Sequence, residues 1–246
     1  MKKYLIIVII AILYILFAFV APDLFDGNSY MFIGKKAHWV YKKGEWSNMT
    51  SLSKNLGKFN IYDMSNGELI DKTNLYYENG KLLSKGDNIL DKGFYMSFKG
   101  KSSIEFLSYK RNYDVNSKEI LDVMKNVGIK NTDIPLASKI VIDLDDDGTD
   151  ETIYELYNST NYDENIKTYY TTVCIKDGNQ YTKLTYKEDN YTFYNNYLVA
   201  AIIDFTNDGN YEIIVGESGI SFDARDTSYF MFGIKDNKYV KLVSTE

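Results

Sequence analysis

The residues with the most chemistry to offer lie in one short run, Asp143-Leu144-Asp145-Asp146-Asp147-Gly148-Thr149-Asp150-Glu151. Aspartate stands at relative positions 1, 3 and 5, glycine at 6 and glutamate at 9. A hard cation such as Ca²⁺ takes about six to eight oxygens at ~2.3–2.6 Å. Alternating carboxylates on a tightly curled loop supply such oxygens, and the glycine permits the turn. The pattern returns in the same register, at an offset of 61 residues, in Asp204-Phe205-Thr206-Asn207-Asp208-Gly209-Asn210-Tyr211-Glu212. A single acidic run is ordinarily a solvated loop. Two runs that share their glycine and their terminal glutamate point instead to two calcium sites.

An EF-hand loop begins in the same way, but it needs a bidentate Glu at position 12 and a helix on each side. Position 12 is Tyr154 in the first run and Val215 in the second. The flanks, Lys139-Ile140-Val141-Ile142 and Thr152-Ile153-Tyr154, then Ala201-Ile202-Ile203 and Glu212-Ile213-Ile214-Val215, are β-branched runs that read as strands. A loop of this kind between two strands resembles the calcium loop of FG-GAP/VCBS repeats, found in integrin-like β-propellers and bacterial surface proteins. The resemblance covers about residues 138–246. It implies side-chain ligands Asp143, Asp145, Asp147 and Glu151 with the Thr149 carbonyl. In the second loop it implies Asp204, Thr206, Asp208 and Glu212 with the Asn210 carbonyl. The chain departs from the family in lacking Gly-Ala-Pro, and it shows two repeats where a closed propeller needs at least four.

Other chemistry finds little material. The single cysteine, Cys174, excludes an intrachain disulfide and sits in a strand-like run as a small buried hydrophobe. One cysteine and one histidine, His38, cannot build the usual zinc sites. A net charge of −6 argues against nucleic acid, whose recognition needs a basic stripe. Tyr191, Phe193, Tyr194 and Tyr197 form an aromatic cluster that reads as strand packing, with a sugar platform as the alternative. Paired carboxylates serve glycoside hydrolysis, but the conspicuous ones here are assigned to metal, which pins them in the ionised form.

The elements that position these loops can be read in order. After Met1-Lys2-Lys3, the 18 uncharged residues from Tyr4 to Ala21 reach the minimum length of a membrane-spanning helix. Phe19 and Pro22 suit a cleavage site after Ala21 poorly, so residues 1–21 read as a short cytoplasmic tail and an uncleaved signal anchor, with the body outside the cytoplasm. Residues 22–28 are a linker. Residues 29–113 read as a β-rich domain of short strand-like runs, with turns such as Lys43-Gly44, Asn66-Gly67, Asn79-Gly80 and Lys92-Gly93 between them. Residues 114–130 hold a connecting helix over 116–128. Asn116 is its cap, Glu119 completes a capping box, Gly128 is its stop, and Ile120, Leu121, Val123, Met124 and Val127 form one face. Residues 138–246 then form two four-stranded antiparallel repeats, each the shape of one propeller blade. Their strands are 139–143, 151–157, 168–176 and 180–186, then 198–204, 211–217, 227–234 and 239–243.

The expected architecture is thus mainly β: a transmembrane helix, a β-rich region, one connecting helix and two blade-like repeats with calcium loops. The expected role is non-enzymatic, a calcium-binding envelope module of a bacterial cell, anchored by the N-terminal helix and partnered by an envelope protein or glycan. The rival readings are an envelope hydrolase with its carboxylates in the N-terminal half, and a tethered sensor acting through a partner.

Overall fold

A computed structural model describes residues 28–34, 37–50, 55–78, 81–84, 95–99, 104–130, 134–158, 168–190, 195–219 and 228–245. The expected membrane segment, the turns at 79–80 and 92–93, Tyr191, Phe193 and Tyr194 lie outside them. Among the described residues, no helix is long and apolar enough to cross a membrane.

Among the described residues the chain is mainly β with one helix, α1, at Ser117–Asn126. The strands are β1 Ser29–Ile33, β2 Ala37–Lys42, β3 Glu45–Asn48, β4 Asn55–Asp63, β5 Leu69–Glu78, β6 Lys81–Ser84, β7 Tyr95–Lys99 and β8 Glu105–Phe106. After the helix come β9 Leu136–Ile142, β10 Glu151–Tyr157, β11 Tyr169–Asp177, β12 Gln180–Asp189, β13 Asn195–Asp204, β14 Glu212–Gly219, β15 Tyr229–Lys235 and β16 Lys238–Ser244. They form three sheets: a seven-stranded one ordered β3-β2-β1-β7-β4-β5-β6, a four-stranded one ordered β12-β11-β10-β9, and a five-stranded one ordered β16-β15-β14-β13-β8.

The three sheets are stacked face to face, and the strand sequences explain why. The middle, five-stranded sheet is apolar on both faces, as runs such as Ala201-Ile202-Ile203, Ile213-Ile214-Val215 and Phe230-Met231-Phe232 require. Side chains alternate along a strand. Ile213 and Val215 therefore pack with Ile153, Val173 and Ile175 of the four-stranded sheet. Ile214 and Met231 face the other way and pack with Met31, Trp39, Met96 and Phe98 of the seven-stranded sheet. A bulge at Ala200 re-phases β13, so that Val199 and Ile202 face one neighbour and Ala201 and Ile203 the other. The 61-residue offset maps Ile153 onto Ile214, so the same face of each repeat lies on the next layer.

Both outer faces of the stack are covered. Helix α1 packs Ile120, Val123 and Met124 on Tyr154, Leu156, Tyr170 and Cys174 of the four-stranded sheet. The seven-stranded sheet curls, and Phe32, Phe59, Ile61, Leu75 and Leu82 form a second core on its far side. The fifth strand of the middle sheet comes from the N-terminal region. β8 leaves the N-terminal region and pairs with β13 at Phe106↔Ile203 and Glu105↔Asp204, which occupies an edge the repeat alone leaves bare.

The helix boundaries follow their capping residues. Asn116 Oδ1 accepts the Glu119 backbone N–H at 3.0 Å. The Glu119 carboxylate accepts from Lys139 Nζ at 2.7 Å and from the Tyr154 hydroxyl at 2.8 Å, which ties the helix to β9 and β10. At the other end Gly128 has φ +74°, Ile129 N–H reaches Met124 O at 2.8 Å, and both side chains are buried, a Schellman ending. Leu121 departs from its expected place. It is 45% exposed, because the inward stripe follows 120, 123, 124 and 127. Asn116→Ala is expected to cost about 1 kcal/mol. Gly128→Ala is expected to cost about 1–2 kcal/mol from backbone strain alone, since nothing lies within 4 Å of an added Cβ. Urea unfolding should show both as a lower midpoint at unchanged slope.

Candidate metal centres

The first acidic loop joins β9 to β10, and the second joins β13 to β14. Each is built the same way. The second residue of the loop, Leu144 or Phe205, is fully buried and plugs the loop into the adjacent inter-sheet core. The terminal glutamate folds back over it: Leu144 N–H donates to Glu151 Oε2 at 2.7 Å, and Phe205 N–H to Glu212 Oε2 at 2.8 Å. The turn itself needs left-handed backbone at equivalent places, Asp146 (φ +55°) with Gly148 (+86°), and Asn207 (+54°) with Gly209 (+82°). Asn, Asp and Gly are the residues that adopt it at least cost. The loops also touch, through Tyr211 N–H donating to Leu144 O at 2.9 Å.

The two sites differ in what their carboxylates do. In the first, Asp143, Asp145 and Glu151 each bring a carboxylate oxygen within 4.8 Å of the others. Asp143 Oδ2 accepts Gly148 N–H at 2.9 Å, but Asp143 Oδ1 and Asp145 Oδ1 are buried with no hydrogen-bond partner. Buried acceptors without partners cost free energy, and a cation is the group that would satisfy them. Burial, and after it the charges of Asp145, Asp177 and Asp143, pushes the Glu151 carboxyl up to about 7. Asp145 is raised by burial and by Asp147, Asp143 and Asp177. These side chains fit a divalent ion. Of the remaining ligands implied by the resemblance, Asp147 Oδ1 accepts Thr149 N–H at 2.7 Å, and both residues are exposed at the loop tip.

In the second loop the carboxylates are not drawn into such a triad among the described residues. Asp204 is turned onto the backbone and accepts N–H bonds from Asn207, Asp208 and Gly209 at 2.6, 3.4 and 3.1 Å. Burial raises Asp208, but bonds from Asn210 N–H, the Thr206 hydroxyl and the Asn210 side chain outweigh it, and its carboxyl ends below the usual range. Glu212 is pushed up to about 7 by burial, with Asp204 and Asp208 adding to the rise. Thr206 and Asn210 line the same side of the loop as Asp208 and Glu212.

Sequence reasoning missed three contributors. Asp177, the last residue of β11, adds its charge to the first site. Tyr239 of β16 lies against that site, its hydroxyl raised by burial and by Glu151 and Asp145. Tyr41 of β2 holds the matching place at the second, raised by burial, Glu212 and Asp208. None of the three has a local sequence signal, since each arrives from a neighbouring hairpin. Tyr197, from the expected aromatic cluster, is core: it is 6% exposed and packs edge-on against Phe230 at 5.5 Å. Comparison with known families, curated proteins and solved structures returns no match.

The raised glutamates set a pH dependence. Their folded values, about 7, lie above the ordinary 4.5, so the metal-free fold holds protons that the unfolded chain has released. Their contribution to stability is therefore full below about pH 4.5 and is lost as pH rises through about 7. A cation must displace the same protons. Calcium affinity is expected to drop below about pH 7, approaching tenfold per pH unit for each proton released. Calcium titrations on either side of that pH, in buffers of different ionisation heat, check the slope and the proton count.

Proposed function

We propose that this chain is a membrane-anchored, extracytoplasmic, calcium-binding β-protein that serves as a binding or scaffold module of a bacterial cell envelope. The observation that carries the metal reading is the convergence of Asp143, Asp145 and Glu151 with two buried carboxylate oxygens left unpartnered. In this reading the two calcium-loop sheets are blade-like repeats of the FG-GAP/VCBS kind. Their matched turn geometry, matched glutamate clasp and same-face stacking support it. α1 and the curled N-terminal sheet then stand where further blades would otherwise cover the faces. The ligands are Asp143, Asp145, Asp147, Glu151 and the Thr149 carbonyl in the first loop. In the second they are Asp204, Thr206, Asp208, Glu212 and the Asn210 carbonyl. Calcium, when bound, neutralises the clustered carboxylates and holds each pair of joined strands in register.

Location rests on the uncharged run from Tyr4 to Ala21. Protein from its native host is expected in the membrane pellet with Met1–Ala21 retained, and intact-mass analysis checks this. A mature chain starting near Pro22 would remove the anchor from the proposal.

A further inference from the structure

The second loop, exposed at Asn207 and Asp208, also borders a cleft. It forms one wall of this cleft of about 560 Å³ between the β2–β3 hairpin and the β15–β16 hairpin. Thr206, Asp208, Asn210 and Glu212 line that wall, and Tyr41 and Trp46 line the cleft beside it. The aromatic wall is held firmly: Trp46 packs on Phe205 with ring centres 4.5 Å apart, and Tyr41 lies 5.2 Å from Trp46 and 5.5 Å from Phe205. Both rings are half-buried, so each keeps surface toward the cleft. The indole Nε1 of Trp46 is buried without a hydrogen-bond partner among the described residues. Lys235 and Lys241 stand at the rim.

We infer that this cleft binds a saccharide; the inference rests on reading the chain as a binding module and names its ligand class. A pyranose has an apolar C–H face and a rim of hydroxyls. A site for it needs an aromatic surface with a row of acceptors and donors within reach of it. Tyr41 and Trp46 supply the first. The loop wall supplies two carboxylates, an amide and a hydroxyl side by side, few and convergent as in small-molecule sites generally. Lys235 and Lys241 add donors, and they suit a sugar acid as well as a neutral sugar. The acceptors act directly on sugar hydroxyls or through a cation held by the second loop, so calcium dependence reads out which. Gly233, in the floor, leaves no room to spare: a Cβ there would stand 2.8 Å from Leu242 Cδ1 and 3.5 Å from Glu212 Cγ.

The protein carries two tryptophans, and the other, Trp39, is fully buried. Emission changes on adding a sugar therefore report on Trp46. The experiment titrates the full-length chain with glucose, galactose, mannose and galacturonate at millimolar concentrations, with calcium and with chelator. A saturable emission change with at least one sugar is expected. Asp208→Asn should remove it, and Asp145→Asn in the first loop should leave it. Saturation-transfer NMR on the sugar gives the second readout, and Trp46→Phe, which keeps an aromatic wall, should still show transfer. No response to any of the four sugars, while calcium still raises the melting temperature, overturns the saccharide inference and leaves the metal reading standing. A sugar response that survives Asp208→Asn overturns it as well, since the signal then comes from elsewhere. A sugar response with no calcium effect on stability supports the cleft and overturns the metal reading.

Discussion

Replacing Arg111 with leucine is expected to destabilise the chain by about 3–5 kcal/mol, the scale for a buried charge that loses its paired counter-ion. Arg111 Nε donates to Glu155 Oε2 at 2.8 Å, and Nη2 donates to Oε1 at 3.1 Å, a two-pronged pair. The Glu155 side chain has no exposed surface, while that of Arg111 is 27% exposed. The carboxylate also accepts from the Ser138 hydroxyl and from Val199 N–H, the latter at 2.7 Å. Val199 O in turn accepts from Arg111 Nη2 and from the Tyr109 hydroxyl. Val199 lies on the side of β13 that β8 is too short to cover. Backbone groups there need partners, and these side chains provide them across the boundary between the middle and four-stranded sheets.

The exposures predict an order among variants. Without Arg111, Glu155 stays buried with its charge uncompensated. Without Glu155, Arg111 can turn to water, but Val199 N–H and the Ser138 hydroxyl lose their acceptor, at about 1–3 kcal/mol each. The double replacement Arg111→Leu with Glu155→Leu should cost clearly less than the two single effects added together. For a chain of this size the Arg111→Leu loss corresponds to a fall in Tm of roughly 10 °C. A single variant within about 1 kcal/mol of the parent would show the pair to be incidental.

The strands were legible in the sequence because their signal is local. The expected strands of the C-terminal half match β10, β11, β14, β15 and β16 to within two residues, while β9, β12 and β13 each run three residues beyond one expected end, and Asn116 and Gly128 marked the helix ends. The stacking was not legible, because it depends on pairings with no local mark. β7 inserts between β1 and β4, and β8 crosses to β13, which places N-terminal residues in the same core as the second repeat. The Glu155 pin left a trace that was passed over. Tyr154 and Leu156 on one face and Ile153 on the other mark a strand buried on both sides, and a carboxylate there needs a cation. Arg111 is one of two arginines in a lysine-rich chain. The acidic loops were legible as composition and spacing, and so was their inequality in charge, because Thr206 stands where the first loop has Asp145; what each first aspartate bonds to was not. Asp143 and Asp204 share a position, yet one keeps an unpartnered oxygen and the other is bound by three backbone N–H groups.

That inequality gives Asp145→Asn opposite effects with and without calcium. In the metal-free chain Asp145 crowds Asp143 and Glu151, and burial together with the charges of Asp147 and Asp143 raises its carboxyl. Neutralising it relieves repulsion, so in chelator the variant should melt at or above the parent temperature. On the calcium reading proposed above the same residue is a ligand, and affinity rises with ligand charge count. Binding that is confined to the folded state adds RT ln(1 + [Ca]/Kd), about 1.4 kcal/mol at ten times Kd and about 2.7 at a hundred times. For a chain of this length that is a rise in Tm of roughly 3–10 °C. The variant should lose most of that rise and so melt below the parent in calcium. Thr206→Ala, which removes a neutral oxygen from the loop whose Asp204 is already tied to backbone, should lose less. Thermal melts of the full-length chain and both variants, in calcium and in chelator, decide the matter by the sign of the Asp145→Asn shift. A parent whose melting ignores calcium would reduce both loops to solvated turns. Asp145→Asn would then raise or leave Tm equally in both conditions.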